Sequence, residues 1–333
     1  MATRLSHSEP SRREFLAALP LAVAAGACRR RAFDRARFTL PERSDVALLP
    51  ASGYGAGAVD AIARGIELLR PAVRDRRVLL KPNLVEYEAG TMINTNPVIV
   101  AAAIEAFRRA GAREVVVGEG PGHRRDTEYL LAASGLGEYL RELRVPFVDL
   151  NLDDVRLVPL ASRFTGLESL FLPVEVLRSD LVVSLAKLKT HHWAGMTAAM
   201  KNLFGVVPGA VYGWPKNLLH YRAIDSSIVD LNATVRPGFA IVDAVIAMEG
   251  DGPIMGTPRH SGFLAMGADP VAVDATCAHI IGLEPMKLRY LRDAARYLGN
   301  VAPERIDQRG EEPSRFESRF EVVDHLKSLR RPA

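Results

Sequence analysis

The chain is poor in cysteine, with only Cys28 and Cys277 among its 333 residues. Because Cys28 ends an apolar N-terminal stretch, no disulfide framework is expected to hold the fold together. The sequence also has no C-x-x-C-x-x-C spacing, and therefore no iron–sulfur motif. The fold must depend on an ordinary hydrophobic core, for which 48% hydrophobic residues are sufficient.

Aromatic residues make up only 7% of the chain, and the net charge is a modest +4. Much of the positive excess lies near the N-terminus, in Arg12–Arg13 and Arg29–Arg31. No basic stripe interleaved with aromatic residues is present, so no nucleic-acid partner is expected. The glycine-rich loops match neither GxGxxG nor the GKS or GKT of a P-loop, so neither a dinucleotide site nor an ATP site is predicted.

An apolar run follows paired arginines near the start of the chain, where residues 11–28 read SRREFLAALPLAVAAGAC. The run is too short for a stable transmembrane helix, and positive charge before it is typical of a targeting segment. The stretch resembles a twin-arginine export signal; a frayed N-terminal helix is the alternative. The resemblance implies a signal peptide over 1–28, export by the twin-arginine translocase, and a periplasmic or other extracytoplasmic mature protein without an integral membrane span.

The end of this segment is compatible with two kinds of processing. The sequence AAGAC fits a signal-peptidase site of the Ala-x-Ala kind that ends at Ala27. It also fits a loose lipoprotein box, in which Cys28 would become a lipid-anchored N-terminus. Ala25 stands where such boxes usually carry leucine, and both routes stay open.

Beyond residue 45, short apolar runs alternate with segments of helical periodicity. Such alternation with short connections is typical of parallel or mixed sheets covered by helices. The pattern weakens around 151–170, which we interpret as a boundary. We therefore predict an α/β fold of two α/β lobes, with mostly parallel or mixed sheets, facing a shared cleft. The predicted segments are a linker (29–45), the two lobes (46–155 and 156–290) and a C-terminal strand and helix extension (291–333).

The individual elements follow from periodicity and from the residues at their ends. Helices are predicted over 58–74, 97–112, 126–143, 198–205 and 269–283. Strands are predicted over 46–51, 77–85, 114–122, 146–150, 180–190, 239–250, 261–268 and 306–309. Because ligands of open α/β sheets bind beyond the carboxyl ends of the strands, the loops that follow the strands are the candidate site.

Four polar loops follow four of these strands and are expected to converge. The first, KPNLVEYEAGTMINTNP, places Lys81 and Asn83 at a strand end, where a lysine commonly meets an anion or a carboxylate. The second, GEGPGHRRDT, carries His123 as a candidate acid or base and Arg124 as a carboxylate clamp. For both loops the alternative is an ordinary solvent-exposed side chain.

The third loop, KLKTHHWAGM, and the helix after it mix cations with apolar residues. Lys189 and His191 lie on the loop, and Lys201 and Asn202 lie about two turns into the helix if it begins near Gly195. A desolvated lysine beside other cations has a lowered pKa that suits covalent or proton-transfer chemistry. Neither H-x-E nor HExxH spacing supports a metal role for the histidines here. A structural polar cluster is the alternative.

The fourth loop, AMEGDGPIMGTPRH, carries Glu249 and Asp251 beside glycines that permit a tight turn. These carboxylates would hold a divalent cation or neutralise the lysines, with ordinary Asp–Gly turn chemistry as the alternative. The candidate catalytic residues are therefore His123, His191 and Lys201. The candidate cofactor-binding residues are Lys81, Asn83, Lys189, Asn202, Glu249 and Asp251.

With its loops in this order, the chain resembles the family catalogued as domain of unknown function 362. The resemblance covers roughly residues 77–285 and rests on six motifs in sequence order: VLLKPNLV, AGAREVVVGEGPG, SDLVVSLAKLKTH, AAMKNLFGVVPG, IVDAVIAMEGDGP and ADPVAVDA. It implies the fold and the position of the site rather than a reaction, because the activity of the family is not assigned.

A shorter stretch is similar to the nickel-pincer lactate racemase family. In that family a histidine is followed ten residues later by a lysine across HxxAG, as His191 is followed by Lys201. Gly122-His123-Arg124 resembles the other catalytic loop of that family without its threonine. The similarity implies paired acid/base histidines at His123 and His191, a Lys201 that tethers a cofactor, and a cofactor of the nickel-pincer type or a divalent metal.

These observations together predict an exported enzyme that acts on a small anionic substrate in a cationic cleft between the lobes, with a bound cofactor or metal. Lysines would supply positive charge and histidines would transfer protons. Two alternatives stay open. The first is a non-catalytic periplasmic protein that binds an anion or a metal, and the second is a racemase- or epimerase-like proton transfer on a hydroxy acid.

Overall fold

The computed structural model describes residues 32–122 and 126–332. The predicted signal peptide, with Cys28, and the candidate residue His123 lie outside this part of the chain. Phe33–Ala333 form one compact unit. Within the described ranges, no helix combines the length and apolar character needed to cross a membrane.

The described residues contain eleven β-strands and eleven α-helices. The strands are β1 (Ser44–Pro50), β2 (Arg77–Pro82), β3 (Glu114–Glu119), β4 (Phe147–Asp149), β5 (Val155–Pro159), β6 (Ser169–Pro173), β7 (Leu181–His191), β8 (Gly195–Thr197), β9 (Phe239–Glu249), β10 (Thr257–Gly267) and β11 (Ile306–Gly310). The helices are α1 (Ala56–Leu69), α2 (Pro97–Arg109), α3 (Thr127–Ala133), α4 (Leu136–Glu142), α5 (Val174–Arg178), α6 (Ala199–Asn202), α7 (Gly209–Tyr212), α8 (Asn217–Tyr221), α9 (Ile224–Val235), α10 (Pro270–Ile280) and α11 (Arg289–Ala294). Short 3₁₀ helices occur at Arg35–Arg37, Leu203–Val206, Pro285–Lys287, Pro303–Arg305, Pro313–Arg315 and Asp324–Leu329.

A nine-stranded sheet forms the centre of the protein, in the order β11-β1-β10-β9-β7-β2-β3-β4, with β8 paired to the end of β7. Neighbours are parallel except for the pairs β1–β10, β10–β9 and β7–β8. The predicted α/β class with a mostly parallel sheet is confirmed. Both predicted lobes, 46–155 and 156–290, contribute strands to this one sheet, so the polar loops meet beside a continuous sheet instead of between two separate ones.

Helices cover both faces of the sheet. Successive residues of its buried strands point to opposite faces, so each strand contributes side chains to both layers. In β2, Leu80 packs in a cluster with Ile62 of α1 and Ile104 of α2. Leu79, one residue earlier, belongs to a second cluster that contains Val229 of α9 and Ala275 of α10. The site loops are therefore anchored in two hydrophobic layers.

Two predicted helices are shorter than their periodicity indicated. Helix α1 ends at Leu69 instead of residue 74, because Pro71 disfavours a helical conformation at the residue before it, and Arg70 adopts a left-handed φ of 44°. The predicted helix over 126–143 is divided into α3 and α4. The division falls at Gly135, whose φ is 77°.

The sequence did not predict the pair β5–β6 or helix α9, whereas it did predict the C-terminal strand and helix. The weakly patterned stretch 151–170 forms most of the antiparallel pair β5–β6, and α9 was missed. The predicted strand over 306–309 is confirmed as β11, which pairs in parallel with β1. The predicted final helix occurs as the 3₁₀ helix Asp324–Leu329.

Candidate functional site

A cavity of about 360 Å³ lies where the carboxyl ends of β2, β3 and β7 meet. Residues from all four predicted polar loops line it, so these loops do converge. Among the predicted site residues, those that line the cavity are Lys81, Asn83, Lys189, His191, Lys201, Asn202 and Asp251. A larger depression of about 1130 Å³, beside α10 and the C-terminal segment, is lined by none of the predicted site residues.

Lys81 and Glu119 form a fully buried ion pair at the base of the cavity. The Lys81 Nζ donates to Glu119 Oε2 at 2.6 Å, to the Pro82 carbonyl at 2.9 Å and to Asn202 Oδ1 at 3.1 Å. All three N–H bonds of this ammonium are therefore used within the protein. A methyl group at Gly205 would collide with the Glu119 carboxylate, so only glycine fits beside the pair.

Lys189 is buried without a carboxylate partner among the described residues. Its Nζ donates to Asn83 Oδ1 at 2.8 Å, to the Ile93 carbonyl at 2.8 Å and to the Pro253 carbonyl at 3.3 Å. Three protein oxygens accept from its three N–H bonds, so Lys189 offers no unused donor to a ligand. Burial, together with the charge of Lys201, lowers the pKa of Lys189 well below its usual value.

Lys201 differs from these lysines because its ammonium has no hydrogen bond or ion pair within residues 32–122 and 126–332. Its contact there is with the ring of Phe204, whose centroid lies 5.2 Å from Nζ. Lys201 is partly exposed at the cavity. Burial and the nearby ammonium of Lys81 lower the pKa of Lys201 to about 8. About a tenth of this side chain is thus a neutral amine at pH 7, and about half of it at pH 8.

Lys216 is a fourth lysine of the cavity that sequence analysis missed. Its buried Nζ donates to the carbonyls of Gly120 at 2.7 Å and Phe204 at 3.0 Å, which leaves one N–H unused among the described partners. Burial lowers the pKa of Lys216 to about 7, although the charge of Glu119 acts in the opposite direction. The feature of the sequence that could have identified Lys216 is the presence of a lysine within the apolar and glycine-rich run GAVYGWPKN.

The backbone around Lys201 differs from the predicted helix that starts near Gly195. Gly195, with a φ of 79°, turns the chain so that β8 pairs back onto β7, and α6 begins only at Ala199. The buried carboxylate of Asp274 accepts from the backbone N–H groups of Ala199 at 2.7 Å and Met200 at 3.2 Å. Asp274 therefore fixes the start of α6, and Lys201 lies in its first turn.

The hydrogen bonds of His191 determine which of its ring nitrogens carries the proton. Nδ1 accepts from the backbone N–H groups of Trp193 at 3.0 Å and Ala194 at 3.2 Å, so the proton is on Nε2. Burial and the charge of Lys201 hold the pKa of His191 well below its usual range. In this state His191 is a neutral donor, with no lone pair for a metal ion and none for a proton.

The buried hydroxyl of Thr197 lines the cavity and is unsatisfied. Thr197 is 2% exposed, and its Oγ1 has no hydrogen-bond partner in the described part of the protein. A buried polar atom without a partner is unfavourable, so such atoms usually mark the place of water or a ligand. Thr197, like Lys216, carried no motif that sequence analysis could use.

The two predicted carboxylates occupy different places. Asp251 lies at the cavity rim, where its Oδ1 is 3.2 Å from Nδ1 of His192. Glu249 lies outside the cavity lining: its carboxylate accepts from Arg259 at 3.3 Å and from the Glu321 backbone at 3.0 Å. Glu249 therefore does not neutralise the lysines. Across the described residues, no group of three His, Cys, Asp or Glu side chains is placed to hold a metal ion.

Sequence comparison gives a family match and a curated relative. The family described as domain of unknown function (DUF362) matches residues 78–279. A thylakoid-associated protein from Synechocystis sp. is 32% identical over 257 residues, which cover 72% of this chain and 75% of that protein.

Two solved structures are similar in backbone. The lactate racemase apoprotein from Thermoanaerobacterium thermosaccharolyticum has a TM-score of 0.44 and 14% identity, with 73% of this chain and 59% of that chain covered. A protein from Thermotoga maritima has a TM-score of 0.37 and 12% identity, with 69% and 60% covered. This chain thus spans about three fifths of each of them.

Proposed function

This chain belongs to the family described as domain of unknown function (DUF362), and from its site we propose an enzyme that acts on a small organic anion in the lysine cavity. One observation carries the proposal. Lys201 and Lys216 have unused N–H bonds beside the unsatisfied Thr197 hydroxyl, while Glu119, the buried carboxylate of the cavity, is paired to Lys81. An anion would complete this set of donors.

Each side chain has a role that follows from its hydrogen bonds. Lys216 and Thr197 would hold the anion, whereas Lys189, whose N–H bonds are all used within the protein, would not contact it directly. Lys201, whose pKa is about 8 without ligand, would take up a proton as the anion binds and then act on the bound molecule as a general acid. His191 would donate a hydrogen bond from Nε2, in place of the proton-transfer role that its sequence position indicated. The acid/base role of His123 remains a prediction, because His123 lies outside the described residues.

We expect anion binding to be accompanied by proton uptake at pH 8. Without ligand, about half of Lys201 and most of Lys216 are neutral at this pH, given pKa values of about 8 and about 7. An anion stabilises the ammonium forms and raises both pKa values, so about one proton per ligand should enter the complex. Affinity should therefore fall as pH rises through 7 to 9. Calorimetric titration of benzoate in two buffers of different ionisation enthalpy measures the uptake.

Benzamide serves as the uncharged control for benzoate and should bind more than tenfold less tightly. The Lys327→Met variant should show the proton uptake of the unsubstituted protein, because Lys327 lies outside the cavity lining and pairs with Asp324 at the surface. Equal affinities for benzoate and benzamide, with no proton uptake, would refute an anion site.

We further propose export of the protein through the twin-arginine pathway, on the basis of Arg12-Arg13 and the apolar run after them. Replacement of both arginines by lysine should keep the protein in the cytoplasm, which cell fractionation measures. Mature protein in the periplasm of a host without the twin-arginine translocase would contradict the proposal. Partition of the mature form with membranes would decide whether Cys28 is acylated.

A further inference from the structure

The cavity has an apolar mouth in addition to its polar interior. Trp193 and Met255 line it although they are 60% and 75% exposed to solvent. Ile254 and Phe204 line it as well. Large apolar side chains exposed next to a pocket are typical of a surface that a ligand covers.

The donors of the cavity lie deeper than this apolar rim. Lys216 and Thr197 are each only 2% exposed, whereas Trp193 and Met255 are mostly exposed. A ligand that satisfies both parts must therefore carry its charge at one end and its apolar surface at the other. The volume of about 360 Å³ corresponds to roughly a dozen water molecules, so the ligand is small.

We propose that the natural ligand is an amphipathic carboxylate, with a carboxylate head at Lys201, Lys216 and Thr197 and a planar apolar body against Trp193, Ile254 and Met255. This inference rests on the proposed function and specifies the class of its anion. One carboxylate head matches the donors that are left, because Lys81 is paired with Glu119 and the N–H bonds of Lys189 are all used by protein oxygens, so that Lys201, Lys216 and Thr197 remain. The Trp193 ring lies nearly perpendicular to that of His192, with 4.7 Å between centroids, and the residue is 60% exposed, so an aromatic body can pack against it.

The test compares two pairs of probes, acetate with acetamide and benzoate with benzamide, together with inorganic phosphate. Dissociation constants come from the ligand dependence of the melting temperature. We expect benzoate to bind at least about tenfold more tightly than acetate, because its ring is removed from water at the mouth. In a Trp214→Phe variant, which leaves Trp193 as the single tryptophan, benzoate but not acetate should change the tryptophan emission.

Two matched variants test whether the preference for benzoate over acetate arises from the apolar side chains at the mouth of the cavity. Trp193→Ala should lose most of the preference for benzoate over acetate and keep the affinity for acetate, since the bond to His191 comes from the Trp193 backbone. Leu157→Ala removes a comparably exposed apolar side chain from β5, away from the cavity, and should keep the preference.

The outcomes distinguish this inference from the proposed function. If acetate and benzoate bind equally, and both bind better than their amides, the apolar contact is refuted and the anion site stands. If phosphate binds more tightly than benzoate, the carboxylate class is refuted. If neither anion binds better than its amide, the proposed function fails and the inference fails with it.

Discussion

Replacement of Lys201 by methionine should weaken benzoate binding by more than tenfold and leave the fold intact. Charge-assisted hydrogen bonds from this ammonium contribute roughly 1.5–3 kcal/mol to binding, which corresponds to about tenfold or more in affinity. Folding should persist because Lys201 makes no hydrogen bond or ion pair within the described residues, and methionine preserves its apolar stem over Phe204. Calorimetric titration and thermal melts measure the two effects.

The pH dependence of stability provides a further check on this variant. The pKa of Lys201 is about 8, below the value of about 10.4 expected for an unfolded lysine, so its charge disfavours the folded state at lower pH. At pH 7 the Lys201→Met variant should be at least as stable as the unsubstituted protein. Any gain should shrink as pH rises from about 8 to 10. A variant that is less stable but binds benzoate normally would show that Lys201 is structural.

Replacement of Lys81 by methionine should have the largest effect on stability, a loss of about 3–5 kcal/mol in the free energy of unfolding. The substitution leaves the Glu119 carboxylate buried without its cation. The hydrogen bond that this carboxylate accepts from the backbone N–H of Gly120 at 2.8 Å does not replace the positive charge. Urea unfolding at pH 7 measures the change. Lys327→Met, which breaks the exposed pair with Asp324, is the matched control and should cost less than about 1 kcal/mol.

A second substitution tests whether the effect arises from the ion pair. Adding Glu119→Gln to Lys81→Met removes the unpaired carboxylate and should recover part of the lost stability. Additive losses in the double variant would mean that the two groups do not interact, in contradiction to the 2.6 Å contact between Lys81 Nζ and Glu119 Oε2.

The sequence was sufficient to predict the positions of the loops but not the contacts within them. Lys81, Lys189 and Asp251 could be placed near one another because each lies at or just beyond the carboxyl end of a strand of an α/β sheet, where ligands bind. Apolar runs such as VVSLA identified those strands reliably. The single sheet across both halves depends on the pairing of β7 with β2 and of β10 with β1, long-range contacts that no local pattern encodes.

Other features of the site depend on tertiary packing. Glu249 and Asp251 are two residues apart, yet only Asp251 lines the cavity, because Arg259 on the neighbouring strand binds Glu249. The proton position on His191 follows from two backbone N–H groups in a turn that periodicity did not reveal. Lys216 enters the cavity from a loop after α7 whose sequence matched no known motif.

The most direct test of the anion site is a crystal structure of the protein with 4-bromobenzoate, recorded at the bromine absorption edge. We expect a carboxylate within hydrogen-bond distance of Lys201 Nζ and an anomalous bromine peak beside Trp193 and Met255. Bromine peaks only outside the cavity, at a concentration that saturates binding in solution, would contradict it.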